Sequence, residues 1–160
     1  MCKALISLVL SLLLFFSFNS ALAQSPKLEI EVNHVANVVE KFQEKVTLFL
    51  KFSKEEKYKF QKYLAEKRLS ELKYVVESKQ GNLVEETTSR YSTYLGNFSD
   101  FVIKKKLISN KEDILTMFET HTKILEKLQE TYESESVFRM LLQHNINTIK
   151  IFSSKVKDNL

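Results

Sequence analysis

Arg68 is the side chain whose position most needs a chemical explanation. On a helical wheel it falls inside an apolar arc, between Leu72 and Val75 in angle. A guanidinium there must snorkel to water or pair with a carboxylate. Glu71 lies one turn away and suits a structural ion pair with Arg68; an acid on a neighbouring helix is the other source, and a ligand-facing arginine is the functional alternative. His121 and His144 each lie midway along an apolar face. A metal site would need them side by side with a third ligand, but a hairpin turning near residue 135 leaves them about five residues out of step. Each therefore reads as a core histidine with a hydrogen-bond partner, and no metal is expected.

The remaining chemistry is sparse. The chain has no HExxH, no carboxylate cage, no GxSxG elbow and no glycine-rich phosphate loop. The aromatic stripe Tyr91, Tyr94, Phe98 and Phe101 reads as core. With nothing to supply a nucleophile, a metal or a tuned acid and base, no enzymatic activity and no cofactor are expected. Lys104-Lys105-Lys106 is the one basic run after the leader. It reads as a solvated helix end favoured by the helix dipole, with an anion contact to phosphate or lipid as the alternative.

The N-terminus carries an address. Met1-Cys2-Lys3 is a short, weakly basic start, Ala4 to Phe18 is almost unbroken apolar sequence, and Ala21-Leu22-Ala23 has the small-x-small form read by signal peptidase. Residues 1–23 are expected to be a signal peptide cleaved between Ala23 and Gln24. Ala4 to Ala23, about 20 residues, is also long enough for an uncleaved membrane anchor, which is the alternative. The expected location is outside the cytoplasm: periplasmic, cell-envelope or secreted. Cys2 would leave with the leader. The mature chain would then be cysteine-free, which excludes a disulfide scaffold, a thiol enzyme and cysteine-ligated metal. Removing 23 of 160 residues leaves 137, the length of one domain. Losing Lys3 takes the net charge from +4 to +3. Lys and Glu are interleaved throughout, so no nucleic-acid partner is expected.

After the leader, Pro26, Gly81 and Gly96 are the only Pro and Gly residues, and the good helix formers Leu, Glu and Lys are abundant. The fold class is all-α. A flexible tail over 24–32 precedes a helical domain over 33–160. Asn33 would cap a first helix, about His34 to Phe52, with an apolar stripe of Val35, Val38, Val39, Phe42, Val46, Phe49 and Leu50. Ser53 with Glu56 forms a capping box for a second helix ending near Lys79, and Gly81 is the expected left-handed stop. Asn82 with Glu85 is a second box, opening a third helix over about Leu83 to Lys106, on which Gly96 is expected to face solvent. Ser109 with Glu112 is a third box, for a helix from about Lys111 to Tyr132. Ser136 would cap a fifth, about Val137 to Lys157, with Val137, Met140, Leu141, His144, Thr148, Ile151 and Phe152 on its inner face. Short connections predict an antiparallel bundle of about five helices around a long central hairpin, on which, or on each other, the first helix and the last two bury their stripes, while the wide stripe of the second helix can leave apolar surface for dimerisation.

The stretches Leu50-Lys51-Phe52-Ser53-Lys54-Glu55-Glu56-Lys57 and Ala65-Glu66-Lys67-Arg68-Leu69-Ser70-Glu71-Leu72 carry a family resemblance. They are similar to the bacterial domain of unknown function DUF5667, whose members show a Leu-Thr-Phe-like helix end, then Ser or Asp-Pro-Glu-Lys, then Ala-Glu-x-Arg-Leu-x-Glu-Leu. Lys54 stands where the family has its proline. The resemblance covers 33–107, with 108–160 as a C-terminal helical hairpin. It implies an exported or membrane-anchored bacterial helical protein, with no assigned activity and no functional residues to transfer. Together these readings point to a non-enzymatic protein-interaction or structural module of the cell envelope, with a protein partner or self-association and peripheral membrane contact as an option. The alternative is a chaperone-like or stress-related protein that holds unfolded clients.

Overall fold

The computed structural model describes residues 27–160, which form five α-helices and a short 3₁₀ turn: α1 Val38–Leu50, α2 Lys54–Glu77, α3 Gly81–Lys104, the turn Ile108–Asn110, α4 Lys111–Gln129 and α5 Val137–Asn159. The expected cleavage residues Ala21, Ala23 and Gln24 lie outside the described residues. No described helix is long and apolar enough to cross a membrane.

Local chemistry sets the helix ends, in several places differently from the sequence expectation. Ser53 and Glu56 close their box at the start of α2, and the Ser53 hydroxyl and backbone hold the Glu56 carboxyl below its ordinary pKa. The first helix starts later than Asn33 predicts, because Asn37 and Glu40 form a complete capping box three residues apart. Asn82 and Glu85 make no cap; Gly81 is already helical, and Gln80 occupies the cap position without a side-chain bond. Ser109 and Glu112 make none either, because the 3₁₀ turn ending at Asn110 leads directly into α4 and Ser109 bonds to Asn110 instead. The left-handed residue after α2 is Lys79 (φ 56°), not Gly81, and Lys106 (φ 51°) plays the same part after α3. Both close Schellman motifs: Gln80 N–H donates to Val75 C=O and Lys79 N–H to Val76 C=O, repeated by Leu107 to Val102 and Lys106 to Ile103.

α2 and α3 form one antiparallel hairpin about 36 Å long, and α4 and α5 form the other. The hairpins lie side by side. α3 packs along α5 in the same chain direction, and the two glycines seat that contact. A Cβ on Gly81 would lie 3.3 Å from the Phe138 ring, and one on Gly96 would lie 3.2 Å from the Phe152 ring. Gly96 is therefore a close-approach position facing α5 and does not face solvent. α2 and α4 meet sparsely, and the chain before α1 fills the space between them. Leu28, in the segment read as a flexible tail, joins the core at 6 % exposure, and Val32 N–H donates to Ser70 Oγ at 3.0 Å. The centre is Leu69, Leu72, Tyr91, Leu95, Phe98, Ile114, Phe118, Leu125, Leu142 and Ile149. α5 is rotated from the expected face: it buries Leu142, Asn145, Ile146, Ile149 and Val156, leaving Val137, Met140, His144 and Ile151 exposed. The buried set recurs at three- and four-residue steps as well as the expected one did, and the glycine sockets on α3 select between them.

A lysine in the left-handed region carries a Cβ penalty that glycine lacks. Lys79→Gly is therefore expected to raise stability by roughly 0.5–1 kcal/mol despite glycine's greater unfolded freedom. Urea unfolding checks it; a lower midpoint at unchanged slope would refute the assignment.

Candidate functional site

α1 is mounted on the bundle by charge. Its only buried residue is Glu44. That carboxylate pairs with Arg68, which is fully buried on α2, and accepts a 2.7 Å hydrogen bond from Lys67 Nζ. Arg68 also pairs with Glu71, so the guanidinium has one carboxylate from its own helix and one from α1. Its guanidinium carbon lies over the Tyr94 ring of α3, 4.6 Å from the centroid. The second oxygen of Glu71 accepts from Arg90 at 3.3 Å, Arg90 also pairs with Glu86, and Glu86 reaches Lys41 of α1 at 3.8 Å. Ala36 N–H donates to Glu71 at 3.2 Å and fixes the chain just before α1. The network joins three helices and consumes the charges that compose it.

The opposite side of α1 is apolar and open. At about 100° per residue, Val38, Val39, Phe42, Val46, Phe49 and Leu50 fall within about 120°, and Glu44 lies diametrically across from the middle of that arc. These are the residues expected in the core. Instead Val38 is 79 % and Phe49 80 % exposed, with Val39, Phe42, Val46 and Leu50 also outward, and Phe52 follows at 86 %. At its C-terminal end the stripe opens into a cleft of about 560 Å³ between α1, α2 and α3. Leu48, Phe49 and Phe101 line it, and Lys45, Lys57, Lys104 and Lys105 rim it, with Gln61 and Asp100. Of the expected basic run, Lys104 and Lys105 thus reach an apolar cleft, while Lys106 is exposed in the left-handed turn.

The histidines are not brought together. His121 is buried, and its Nδ1 shares a 3.0 Å hydrogen bond with the Tyr91 hydroxyl; His144 is exposed on α5, not a core residue. Burial, reinforced by the Lys62 charge, lowers the His121 pKa to about 3, so it is neutral in the folded chain. Nearby, Asp113 accepts from Lys62 at 2.7 Å and from the Tyr58 hydroxyl. Burial alone would raise the Asp113 pKa, but these two donors outweigh it and bring it below the ordinary value. The space lined by Lys62, Glu66, Asp113 and His121 is about 110 Å³, room for a few waters. Among the described residues no cluster of three His, Cys, Asp or Glu could hold a metal ion.

Sequence reasoning pointed to Arg68, Glu71 and the lysine run. It missed Glu44, Arg90, the contact of Tyr94 with Arg68 and the outward direction of the α1 stripe. The available signal was Glu44 itself, an acid opposite an apolar stripe, beside a helix carrying an arginine in need of a carboxylate.

The family model described as "Domain of unknown function (DUF5667)" matches residues 38–158, and the chain belongs to that family. No curated protein and no solved structure matches the chain significantly.

Removing one partner of a buried ion pair costs about 3–5 kcal/mol when the other charge is left stranded. Glu44→Ala is expected to release α1: amide exchange across Val38–Leu50 should quicken more than 100-fold, with the amides of Leu69 and Leu95 still protected. Equal loss of protection through α2–α5 would show that the pair holds the whole bundle. His121 adds a pH dependence. Its folded pKa of about 3 lies below the ordinary 6.5, so the unfolded chain binds the extra proton. Its contribution is fully present above pH 6.5 and fades as pH falls towards 3, at up to about 1.4 kcal/mol per pH unit. His121→Gln should flatten that part of the urea-stability profile between pH 6.5 and 4; an unchanged profile would refute it.

Proposed function

We propose that this DUF5667 member is an exported, non-enzymatic interaction module of the cell envelope whose contact surface is the outward face of α1. The observation that carries this reading is the orientation of α1, which spends its one buried side chain on an ion pair and presents an apolar stripe to solvent. Contiguous exposed apolar surface of this kind marks interaction sites in soluble proteins. The mutual pairing of the buried charges supports a structural role for them rather than a catalytic one.

Holding unfolded clients is the second reading, favoured by the run of the stripe into an open cleft that an extended apolar segment could enter. The two readings differ in how many species they engage. A photo-reactive amino acid at Phe42, in the protein exported by its own host, should give crosslinks absent from the same probe at exposed Lys123 on α4. One dominant product supports the interaction module, and a ladder of unrelated proteins supports client holding. Equal products at Phe42 and Lys123, or none at Phe42, would sink both.

A further inference from the structure

We propose that the surface covering α1 is an anionic lipid bilayer. This rests on the reading of the α1 face as the contact surface and names what it contacts. Three observations select a bilayer. First, the apolar residues are Phe, Val and Leu along a helix of 13 residues, about 20 Å, with Phe52 continuing the line beyond its end. That matches a helix lying in the plane of an interface with its apolar face sunk among the acyl chains.

Second, the charge around the stripe is predominantly positive where it meets the cleft. Lys45, Lys57, Lys104 and Lys105 surround Leu48, Phe49 and Phe101 with Asp100 as the single acid. None of the four lysines is held in an ion pair among the described residues. Their ammonium groups are therefore available to lipid phosphates at the depth where the phenyl rings would enter the bilayer. Neither acid of α1 opposes this: Glu44 is turned inward and neutralised by Arg68 and Lys67, and Glu40, at the other end of the helix, caps its start and pairs with His34.

Third, the same charges disfavour a second copy. A two-fold dimer that closed the cleft end of each stripe on the other would set each lysine rim against an identical rim. Juxtaposed like charges at an interface are unfavourable, whereas an anionic surface complements the rim.

The experiment uses the chain from Gln24, whose buried core among the described residues runs from Leu28 to Val156, with vesicles of phosphatidylglycerol and phosphatidylcholine in equal parts against phosphatidylcholine alone. Co-flotation should be at least tenfold stronger on the anionic vesicles and fall at least tenfold between 50 and 500 mM NaCl. Phe49→Ser with Phe52→Ser should abolish it, and Lys104→Gln with Lys105→Gln should reduce it about 25-fold, at about fivefold for each lysine near the surface. All four side chains are exposed, so circular dichroism should be unchanged. Equal flotation on neutral vesicles, or flotation indifferent to the phenylalanine pair, would overturn the proposal. So would a chain that stays in solution. Light scattering then separates the two levels: a dimer abolished by the phenylalanine pair would leave α1 as a contact surface while refuting the bilayer, and a monomer with no Phe42 crosslinks would remove both.

Discussion

A guanidinium with no access to water governs this fold. Arg68 is sealed among α1, α2 and α3, and a stranded charge there would cost several kcal/mol. Glu71 supplies one carboxylate from the same helix, the Tyr94 ring lies against the guanidinium carbon, and Glu44 must come from α1. That last requirement sets how α1 lies. With Glu44 directed inward, geometry sends the stripe opposite it outward. A buried ion pair often adds little net stability over an apolar replacement. Its effect here is on orientation and register.

The bundle behind this network is built by shape. Two hairpins meet where α3 offers the bare backbone of Gly81 and Gly96, and α5 places the rings of Phe138 and Phe152 on them. The contact is intimate on that side and loose on the other, so the segment leading to α1 enters the gap between α2 and α4 with Leu28 as its plug. The same segment then reaches Ser70 and Glu71 through backbone N–H groups. The approach to α1 and the ion-pair network are thus parts of one piece of packing.

The helices and their order were legible because periodicity, scarcity of turn residues and the Ser53–Glu56 box all state local preferences. The inward sides of α2 and α3 were legible where Leu72 and Val75 flank Arg68 and where Tyr91 and Phe98 share one stripe, because these large side chains have no other cover than the core. α1 and α5 misled for a shared physical reason: amphipathicity says that two sides differ, while direction comes from what the neighbour offers. The bundle offers α1 a buried cation and offers α5 two bare glycines. The same non-local choice explains Gly81, which is used for close packing while Lys79 takes the left-handed turn. The family relationship was legible from the stretches Leu50 to Lys57 and Ala65 to Leu72, which lie within the matched residues 38–158.

The outward stripe has a thermodynamic consequence. When an ordinary core helix detaches, apolar area enters water, so the opening has a large heat capacity and a steep response to urea. Detachment of α1 would expose mainly charged groups, since its apolar area is in water already. Its opening should be nearly flat in urea and temperature yet sensitive to ionic strength, a local equilibrium uncoupled from the cooperative melting of the bundle beneath it.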